Sequence, residues 1–190
     1  MPQPEPEFVE VYVQPGESRL VKGPATMRTL LGSCVGITFR VHRLAVGALC
    51  HPMLPRCPKA IEEGANVREG RRYVDFAIRE MARQLDALGA KRAEVEVKIF
   101  GGGDVLTSSQ SPHRPTVGRL NIDSAVETLD HEGFAVRASR LGGDTGVNIE
   151  FSTVTGEVLV KRLAKTSAAT HPRRRVHRSG PVEYVKKGRK

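Results

Sequence analysis

The chain has 190 residues, which is enough for one domain with a buried core, or for one domain and a tail. It contains no apolar run as long as a membrane span, and its N-terminus does not resemble a signal peptide, so we expect a cytoplasmic protein. Its three cysteines are an odd number without a CxxC motif, which argues against a disulfide framework and fits a reducing compartment.

The net charge of +9 is concentrated at the C-terminal end. Residues 161–190 hold eleven lysines and arginines but one acid, Glu183, for a net charge of +10, so the other 160 residues carry −1. A charge run of this kind is typical of a solvated end, and we expect residues 164–190 to form a disordered basic tail. Residues 1–7, rich in proline and glutamate, are also expected to be disordered.

In chain order, the first predicted element is a strand over Phe8–Val13, where apolar and polar side chains alternate, followed by a turn at Pro15-Gly16. Further strands are predicted at Ser18–Val21, Val35–Val41, Leu44–Leu49, Ala93–Phe100, Ala135–Leu141, Val147–Thr153 and Glu157–Leu163. Strands outnumber helices and do not alternate with them. The order predicts an α/β fold, a mixed layered sheet core flanked by helices, rather than a doubly wound nucleotide-binding fold.

Two helices are predicted by apolar side chains that recur at steps of three or four. The first covers Arg71–Leu88, and the second covers Gly118–Glu132. The side chains expected to face inward are Val74, Ile78, Met81, Leu85 and Leu88 in the first helix, and Leu120, Ala125, Val126 and Leu129 in the second.

A predicted β-hairpin connects the segments that carry Cys34 and His51. Val35–Val41 and Leu44–Leu49 are rich in Val, Leu, Ile and Phe, and the two residues between them can form the turn. Residues at equal distances from a hairpin turn face each other, so Cys34 and His51, near the outer ends, are expected to come together. A thiol beside an imidazole provides the nucleophile and the base that acyl transfer requires.

The residues around this pair also suit a site. Gly32 and Ser33 fit a turn in which backbone N–H groups approach a substrate oxygen, and Pro52 ends the strand at an open rim. Residues 55–70, with two prolines and two glycines, are predicted to form a loop at that rim, a candidate substrate collar or lid. Gly101–Gly103 is interpreted as a tight strand exit, with close backbone approach to a ligand as the alternative.

These segments resemble the chemoreceptor glutamine deamidase family, CheD. The most specific match is Thr29–Val35 (TLLGSCV) followed by His51–Pro55 (HPMLP). The other matching motifs are Val11–Glu17, Arg72–Asp75, Leu88–Ala90, Phe100–Gly103 and Leu141–Gly143. The resemblance covers residues 8–163, which we therefore expect to form a CheD-like domain. The chain departs from the family at Leu141–Asn148, where LGGDTGVN replaces a version that carries Asn and Arg.

The resemblance implies an enzyme that converts specific glutamines of methyl-accepting chemoreceptors to glutamate by a Cys–His thiol mechanism, with neither cofactor nor metal. It implies that Cys34 is the nucleophile, that His51 is the acid–base residue, and that a threonine orients the imidazole. Thr29 fits that role best, and Thr26 is the spare. We expect His51 to lower the pKa of Cys34 by forming a thiolate–imidazolium pair. The resemblance also implies a partner, a CheC-type phosphatase that competes with receptors.

Three alternatives remain open at this level. Cys34, Cys50, His51 and Cys57 could together bind zinc, but adjacent strand residues point to opposite faces, and zinc frameworks favour short Cys-to-Cys steps that are absent here. A non-enzymatic chemotaxis adaptor or binding module would use the basic tail to engage nucleic acid or acidic partners, although aromatic residues are almost lacking there. A cysteine protease is the third alternative, and the chain around Cys34 carries no recognisable protease signature.

Overall fold

A computed structural model describes residues 8–64, 66–105 and 115–164 of the chain. The predictions made for residues 1–7 and for the basic tail beyond residue 164 lie outside these ranges.

The described residues form nine strands and four α-helices. The strands are β1 (Val9–Tyr12), β2 (Ser18–Lys22), β3 (Ala25–Leu31), β4 (Val35–Val41), β5 (Val46–Cys50), β6 (Glu96–Gly101), β7 (Val136–Leu141), β8 (Val147–Ser152) and β9 (Val158–Arg162). The helices are α1 (Lys59–Glu63), α2 (Val67–Gly70), α3 (Val74–Ala87) and α4 (Val117–His131), with 3₁₀ turns at His42–Leu44 and Arg92–Glu94. The predicted α/β class and the two long helices are confirmed.

The strands divide into two sheets. The four-stranded sheet has the order β1-β3-β8-β9, and the five-stranded sheet has the order β2-β5-β4-β6-β7. Neighbouring strands are antiparallel except for the parallel pairs β1/β3 and β6/β7, so both sheets are mixed. The predicted hairpin is confirmed as β4 and β5, which pair from Val41↔Val46 to Ile37↔Cys50. Its 3₁₀ turn ends at Ala45 in the left-handed region (φ 51°).

The five-stranded sheet lies between two hydrophobic cores because alternate side chains of a strand point to opposite faces. One core lies between the two sheets and contains Val13, Met27, Leu31, Leu49, Phe100, Val147, Ile149 and Phe151. The other core lies on the far face, where Ile37, Phe39, Ala48, Cys50, Val97 and Ile99 pack with apolar side chains of α3 and α4. The layers are therefore sheet, sheet and helices, a division into two sheets that the strand pattern alone does not predict.

The α3 prediction is confirmed for Val74, Ile78, Met81 and Leu85, which are fully buried. It is wrong for Leu88, which follows the end of the helix and is 45% exposed. In α4 the inward placement of Leu120 and Val126 is also wrong, since they are 39% and 48% exposed. The buried stripe of α4 contains Asn121, Ser124, Ala125, Thr128 and Leu129. Their spacing is helical, but three of them are polar, and an apolar pattern therefore selects the wrong face.

The prediction of a loop over residues 55–70 is wrong in part, because α1 and α2 interrupt it. Asn66 begins α2 by accepting a hydrogen bond from the backbone N–H of Glu69 through its side chain, a local cap that stabilises a single turn. No helix in the described ranges is long and apolar enough to cross a membrane.

Candidate active site

Cys34 lies in the three-residue connection that joins β3 to β4. The backbone N–H of Gly102 donates to the Cys34 carbonyl at 2.8 Å, and the N–H of Gly103 donates to the Gly32 carbonyl at 2.8 Å. A Cβ at Gly101 would lie 2.5 Å from the Cys34 carbonyl oxygen, and the φ of +90° at this residue also requires glycine. The glycine run is thus a strand exit, as predicted, and it also holds the cysteine connection. The sequence offered no signal for that second role.

His51 follows the last residue of β5 and is 1% exposed. Its backbone is fixed on both sides: the N–H of Gly16 donates to its carbonyl at 2.7 Å, and its own N–H donates to the Glu17 carbonyl at 2.8 Å. Because Cys50 belongs to the core on the helix side, the pleat directs the neighbouring His51 toward the four-stranded sheet. The prediction that residues 50 and 51 face opposite sides is confirmed, and it separates two of the four candidate zinc ligands.

The imidazole meets the hydroxyl of Thr29, on β3 of the opposite sheet. Thr29 is fully buried, and its Oγ1 lies 2.7 Å from His51 Nδ1 and 2.7 Å from the Val13 carbonyl oxygen. A hydroxyl has one proton, and a carbonyl can only accept, so the Thr29 proton goes to Val13 and Nδ1–H of His51 donates to Oγ1. Neutral His51 therefore carries its proton on Nδ1 and a free lone pair on Nε2.

The other candidate threonine, Thr26, does not share this position. It is three residues from Thr29 on the same strand, so the two side chains point to opposite faces of β3. Met27 and Leu31, in phase with Thr29, lie in the core between the sheets, whereas Leu30, in phase with Thr26, is 44% exposed. Among the described residues, Thr29 is the threonine that contacts His51.

Cys34 and His51 lie at the same end of the five-stranded sheet. The register pairs Cys50 with Ile37, so one further step along the ladder brings His51 opposite Gly36, two residues beyond Cys34 on the same face. The sequence predicted that Cys34 and His51 lie opposite each other, but the residue opposite His51 is Gly36, two positions along the strand from Cys34. Cys34 is partly buried and packs against the same core between the sheets that contains Val13.

Burial controls the electrostatics of the pair. It raises the pKa of the Cys34 thiol, an effect opposed to a lesser extent by a hydrogen bond from the residue's own backbone N–H. Burial also lowers the pKa of His51 to about 4, with a smaller opposing effect from the Val13 carbonyl. Both shifts favour the neutral thiol and neutral imidazole in the free protein, so the expected thiolate–imidazolium pair with a lowered thiol pKa is wrong for this state.

His51 Nε2 is buried and has no hydrogen-bond partner among the described residues. A buried nitrogen without a partner is costly in a native structure and calls for a physical reason. A lone pair on Nε2, in an imidazole whose other nitrogen is fixed by Thr29, is the arrangement of a general base that awaits a proton donor.

Asn121 of α4 connects the two segments that carry Cys34 and His51. Its side-chain Nδ2 donates to the Ser33 carbonyl at 2.9 Å and to the Met53 carbonyl at 3.0 Å, and the residue is fully buried. Since both neighbours are carbonyl oxygens, the nitrogen and not the oxygen of the amide must face them. One turn further along, the Ser124 hydroxyl donates to the Pro55 carbonyl. Sequence reasoning missed both residues because neither belongs to a motif.

The other two cysteines have different surroundings. Cys50 is fully buried on the helix side, and burial is the main cause that raises its pKa to about 12. Cys57 lies in the segment before α1, where its backbone N–H donates to Asp75 at 2.8 Å. No group of three or more metal-ligating side chains occurs in the described part of the chain.

The model of a family described as CheD chemotactic sensory transduction matches residues 53–162. The chain belongs to the CheD family. The match begins after Cys34 and His51, so it does not depend on the two residues.

Curated relatives cover a larger part of the chain. It is 38% identical over 163 residues to the probable chemoreceptor glutamine deamidase CheD 2 of Geobacter sulfurreducens, an alignment that spans 86% of this chain and 96% of that protein. It is 34% identical over 169 residues to the probable chemoreceptor glutamine deamidase CheD of Maridesulfovibrio salexigens, spanning 87% and 98%. For the protein of the same name from Halorhodospira halophila, the identity is 33% over 176 residues, spanning 92% and 79%.

Residues 141–148, which were expected to depart from the family pattern, lie next to the glycine run that holds the cysteine connection. Gly142 N–H donates to the Gly101 carbonyl at 2.8 Å, and Asp104 N–H donates to the Gly143 carbonyl at 2.7 Å. This segment therefore lies at the border of the candidate site.

Proposed function

We propose that this protein is a protein-glutamine deamidase that converts specific glutamines of methyl-accepting chemoreceptors to glutamate. Relatives named as probable chemoreceptor glutamine deamidases support the substrate. The single observation that carries the chemistry is the buried His51, whose Nδ1 is fixed by Thr29 and whose Nε2 has no partner in the described residues.

In the proposed reaction Cys34 attacks the carboxamide carbon of the glutamine side chain. The Sγ–C bond forms as Nε2 of His51 accepts the thiol proton, which removes the need for a thiolate in the free protein. The carbonyl oxygen becomes an oxyanion in a tetrahedral intermediate. His51 then donates its Nε2 proton to the NH₂ group, the C–N bond breaks, and ammonia leaves a thioester on Cys34.

Water completes the cycle. His51 accepts a proton from water, the oxygen attacks the thioester carbon, and the C–S bond breaks to give glutamate and the Cys34 thiol. No oxidant, reductant or second substrate is required, because the net reaction is the exchange of an amide nitrogen for a water oxygen.

Backbone N–H groups of the Gly32–Cys34 connection are the proposed oxyanion donors. The backbone N–H of Cys34 favours the thiolate of its own side chain, because it opposes the effect of burial on the thiol pKa. A carbonyl attacked by that sulfur places its oxygen close to the same N–H, and a donor of this kind is worth about 3 to 4 kcal/mol in comparable enzymes. Hydrogen bonds from Gly102 and Gly103 hold the connection in place before substrate arrives.

We further propose that the protein acts in the cytoplasm, and that a CheC-type phosphatase is a partner that competes with receptors for it. A reducing compartment suits a protein with three free cysteines, one of which has to remain a thiol to react.

The experiment that tests this function is mass spectrometry of a purified chemoreceptor signalling domain after incubation with the protein. We expect specific glutamine-containing peptides to gain about 1 Da in ordinary water and about 3 Da in water enriched in oxygen-18, because the new oxygen comes from solvent. Folded protein that leaves every receptor glutamine unchanged would contradict the proposal.

A further inference from the structure

A cleft of about 880 Å³ lies beside the candidate site. One wall is formed by residues 14–19, which comprise the turn after β1 and the start of β2, and the other is the segment from Asn66 to Arg72. Both walls are bonded to the chain that carries His51: Gly16 donates to the His51 carbonyl, and the Arg72 carbonyl accepts from the N–H groups of Met53 and Leu54 at 2.8 and 3.0 Å. The walls of the cleft are thus hydrogen-bonded directly to the backbone of His51 and of the residues that follow it.

The lining of the cleft carries a net positive charge. Four arginines line it, Arg19, Arg68, Arg71 and Arg72, against two glutamates, Glu17 and Glu69. The whole domain, residues 8–163, holds 21 lysines and arginines and 18 acids, for a net charge of +3. The positive charge of the domain is small, and the cleft concentrates it, because its lining alone has two more arginines than glutamates.

The described residues neutralise only part of this charge. Arg19 pairs with Glu17 at 3.0 Å, and Arg71 pairs with Glu80 at 2.8 Å. Arg68 and Arg72 are exposed and form no ion pair with the described residues. The Nε of Arg71 is buried without an acceptor in the same part of the chain. Guanidinium groups bind carboxylates through paired N–H donors, so the unpaired ones are available to an anionic ligand.

We propose that this cleft binds carboxylate side chains of the polypeptide substrate, on residues that flank the glutamine delivered to Cys34. The inference rests on the proposed function and names the recognition element of the same site. A polypeptide that presents a glutamine to Cys34 must continue across the surrounding surface, and the cleft adjoins the backbone of His51. A free small anion is the other source of the same chemistry, and the experiment separates the two.

The test uses two synthetic peptides of one length, each with a single central glutamine, flanked in one by glutamates and in the other by serines. The variant is the double charge reversal Arg68→Glu/Arg72→Glu. The matched control is Lys22→Glu/Arg137→Glu, which changes the net charge equally at exposed positions on the opposite end of the five-stranded sheet. Deamidation is followed by mass spectrometry at low and high salt.

We expect the cleft variant to lose about tenfold or more in kcat/KM on the acidic peptide at low salt. The neutral peptide should be deamidated at the wild-type rate, and the control variant should match wild type on both peptides. Equal losses on the two peptides, or equal losses for the two variants, would overturn the proposal.

A binding assay separates the cleft from the chemistry. The fluorescently labelled acidic peptide is titrated with Cys34→Ala protein, with and without the cleft reversal, and with inorganic phosphate as competitor. We expect the reversal to weaken binding by about tenfold. Unchanged binding would refute the cleft even if deamidation fails. Complete displacement by millimolar phosphate, with no effect of sodium chloride at equal ionic strength, would indicate a small-anion site instead.

Discussion

The hydroxyl oxygen of Thr29 lies 2.7 Å from Nδ1 of His51, across the interface between the two sheets. Because the same hydroxyl donates to the Val13 carbonyl, the imidazole is restricted to one tautomer. His51, the base of the proposed reaction, is therefore held in its orientation by the packing of the two sheets before substrate binds.

Replacing Thr29 by valine removes the acceptor of the Nδ1 proton while it keeps the shape of the side chain. We expect Thr29→Val to lower kcat by at least about tenfold with little change in KM, because the tautomer and the orientation of His51 are no longer fixed. Thr29→Ser keeps the hydroxyl and should retain most of the activity. Steady-state kinetics of both variants make the comparison. Equal activity of the valine variant and wild type would show that Thr29 is only a packing residue.

The pKa of His51 predicts an effect of pH on stability. In the unfolded chain the imidazole has its ordinary pKa of 6.5, and in the folded protein burial lowers it to about 4. Protonation therefore favours the unfolded chain. The stability is fully present above pH 6.5 and is lost as the pH falls toward 4, by about 3 kcal/mol in total. Denaturant unfolding at several pH values measures this, and His51→Gln should reduce the slope in that window. An unchanged slope would contradict the shifted pKa.

The same shift predicts where activity declines in acid. His51 must be neutral to accept the Cys34 proton, so kcat/KM should stay high below pH 6.5 and fall only as the pH approaches 4. Alkylation of Cys34 by iodoacetamide in the absence of substrate should rise above pH 9, because burial raises the pKa of the thiol above its ordinary value of 9.0. Rapid alkylation of Cys34 at pH 6 would indicate a preformed thiolate and would contradict this assignment.

Asn121 provides a test of how the two segments are held together. In Asn121→Ala the Ser33 and Met53 carbonyls lose their shared donor, and we expect kcat to fall by about tenfold or more while KM changes little. The alkylation rate of Cys34 should change as well, which a loss of global stability alone would not cause below the melting temperature. Ser124→Ala, which removes one hydrogen bond of the same helix to Pro55, is the control and should keep most of the activity. Equal activity of both variants would show that Asn121 does not position the segments that carry Cys34 and His51.

A substitution at Gly101 tests whether the glycine run positions the connection that carries Cys34. An alanine there would place Cβ 2.5 Å from the Cys34 carbonyl oxygen, whereas an alanine at Gly89 would meet no atom within 4 Å. Both residues have positive φ, +90° and +75°, so the backbone strain is comparable and the clash is specific to Gly101. We expect Gly101→Ala to lose activity by much more than its loss of thermal stability explains, and Gly89→Ala to be destabilised but active per folded molecule. If the two variants behaved alike, the glycine run would have no role in positioning Cys34.

Local patterns were sufficient for most elements of the fold. Alternation predicts β8, and helical spacing predicts α3, because each buries one regular face. The prediction of the buried face of α4 was wrong because Asn121 and Ser124 are buried and donate hydrogen bonds to carbonyl groups. An apolar pattern does not reveal buried polar residues. The division into two sheets depends on which distant strands pair, and pairing of β3 with β8 links residues more than a hundred positions apart.

The sequence led to the contact between Thr29 and His51 but not to the electrostatics of the candidate site. The motifs around Cys34 and His51 indicated the pair, and the resemblance to the CheD family indicated Thr29. The direction of the pKa shifts follows from burial between two packed sheets, which the sequence does not show. The supporting role of Gly101–Gly103 likewise depends on a contact with a loop some seventy residues earlier in the chain.

The most direct test of the central claim compares Cys34→Ala with Cys57→Ala, using the gain of about 1 Da at receptor glutamines as the readout. Both variants remove one partly buried thiol, so both should fold, which circular dichroism can verify. The account predicts that Cys34→Ala loses at least about a thousandfold in rate and that Cys57→Ala deamidates at close to the wild-type rate. Deamidation by Cys34→Ala at the wild-type rate, or equal loss in the two variants, would contradict it.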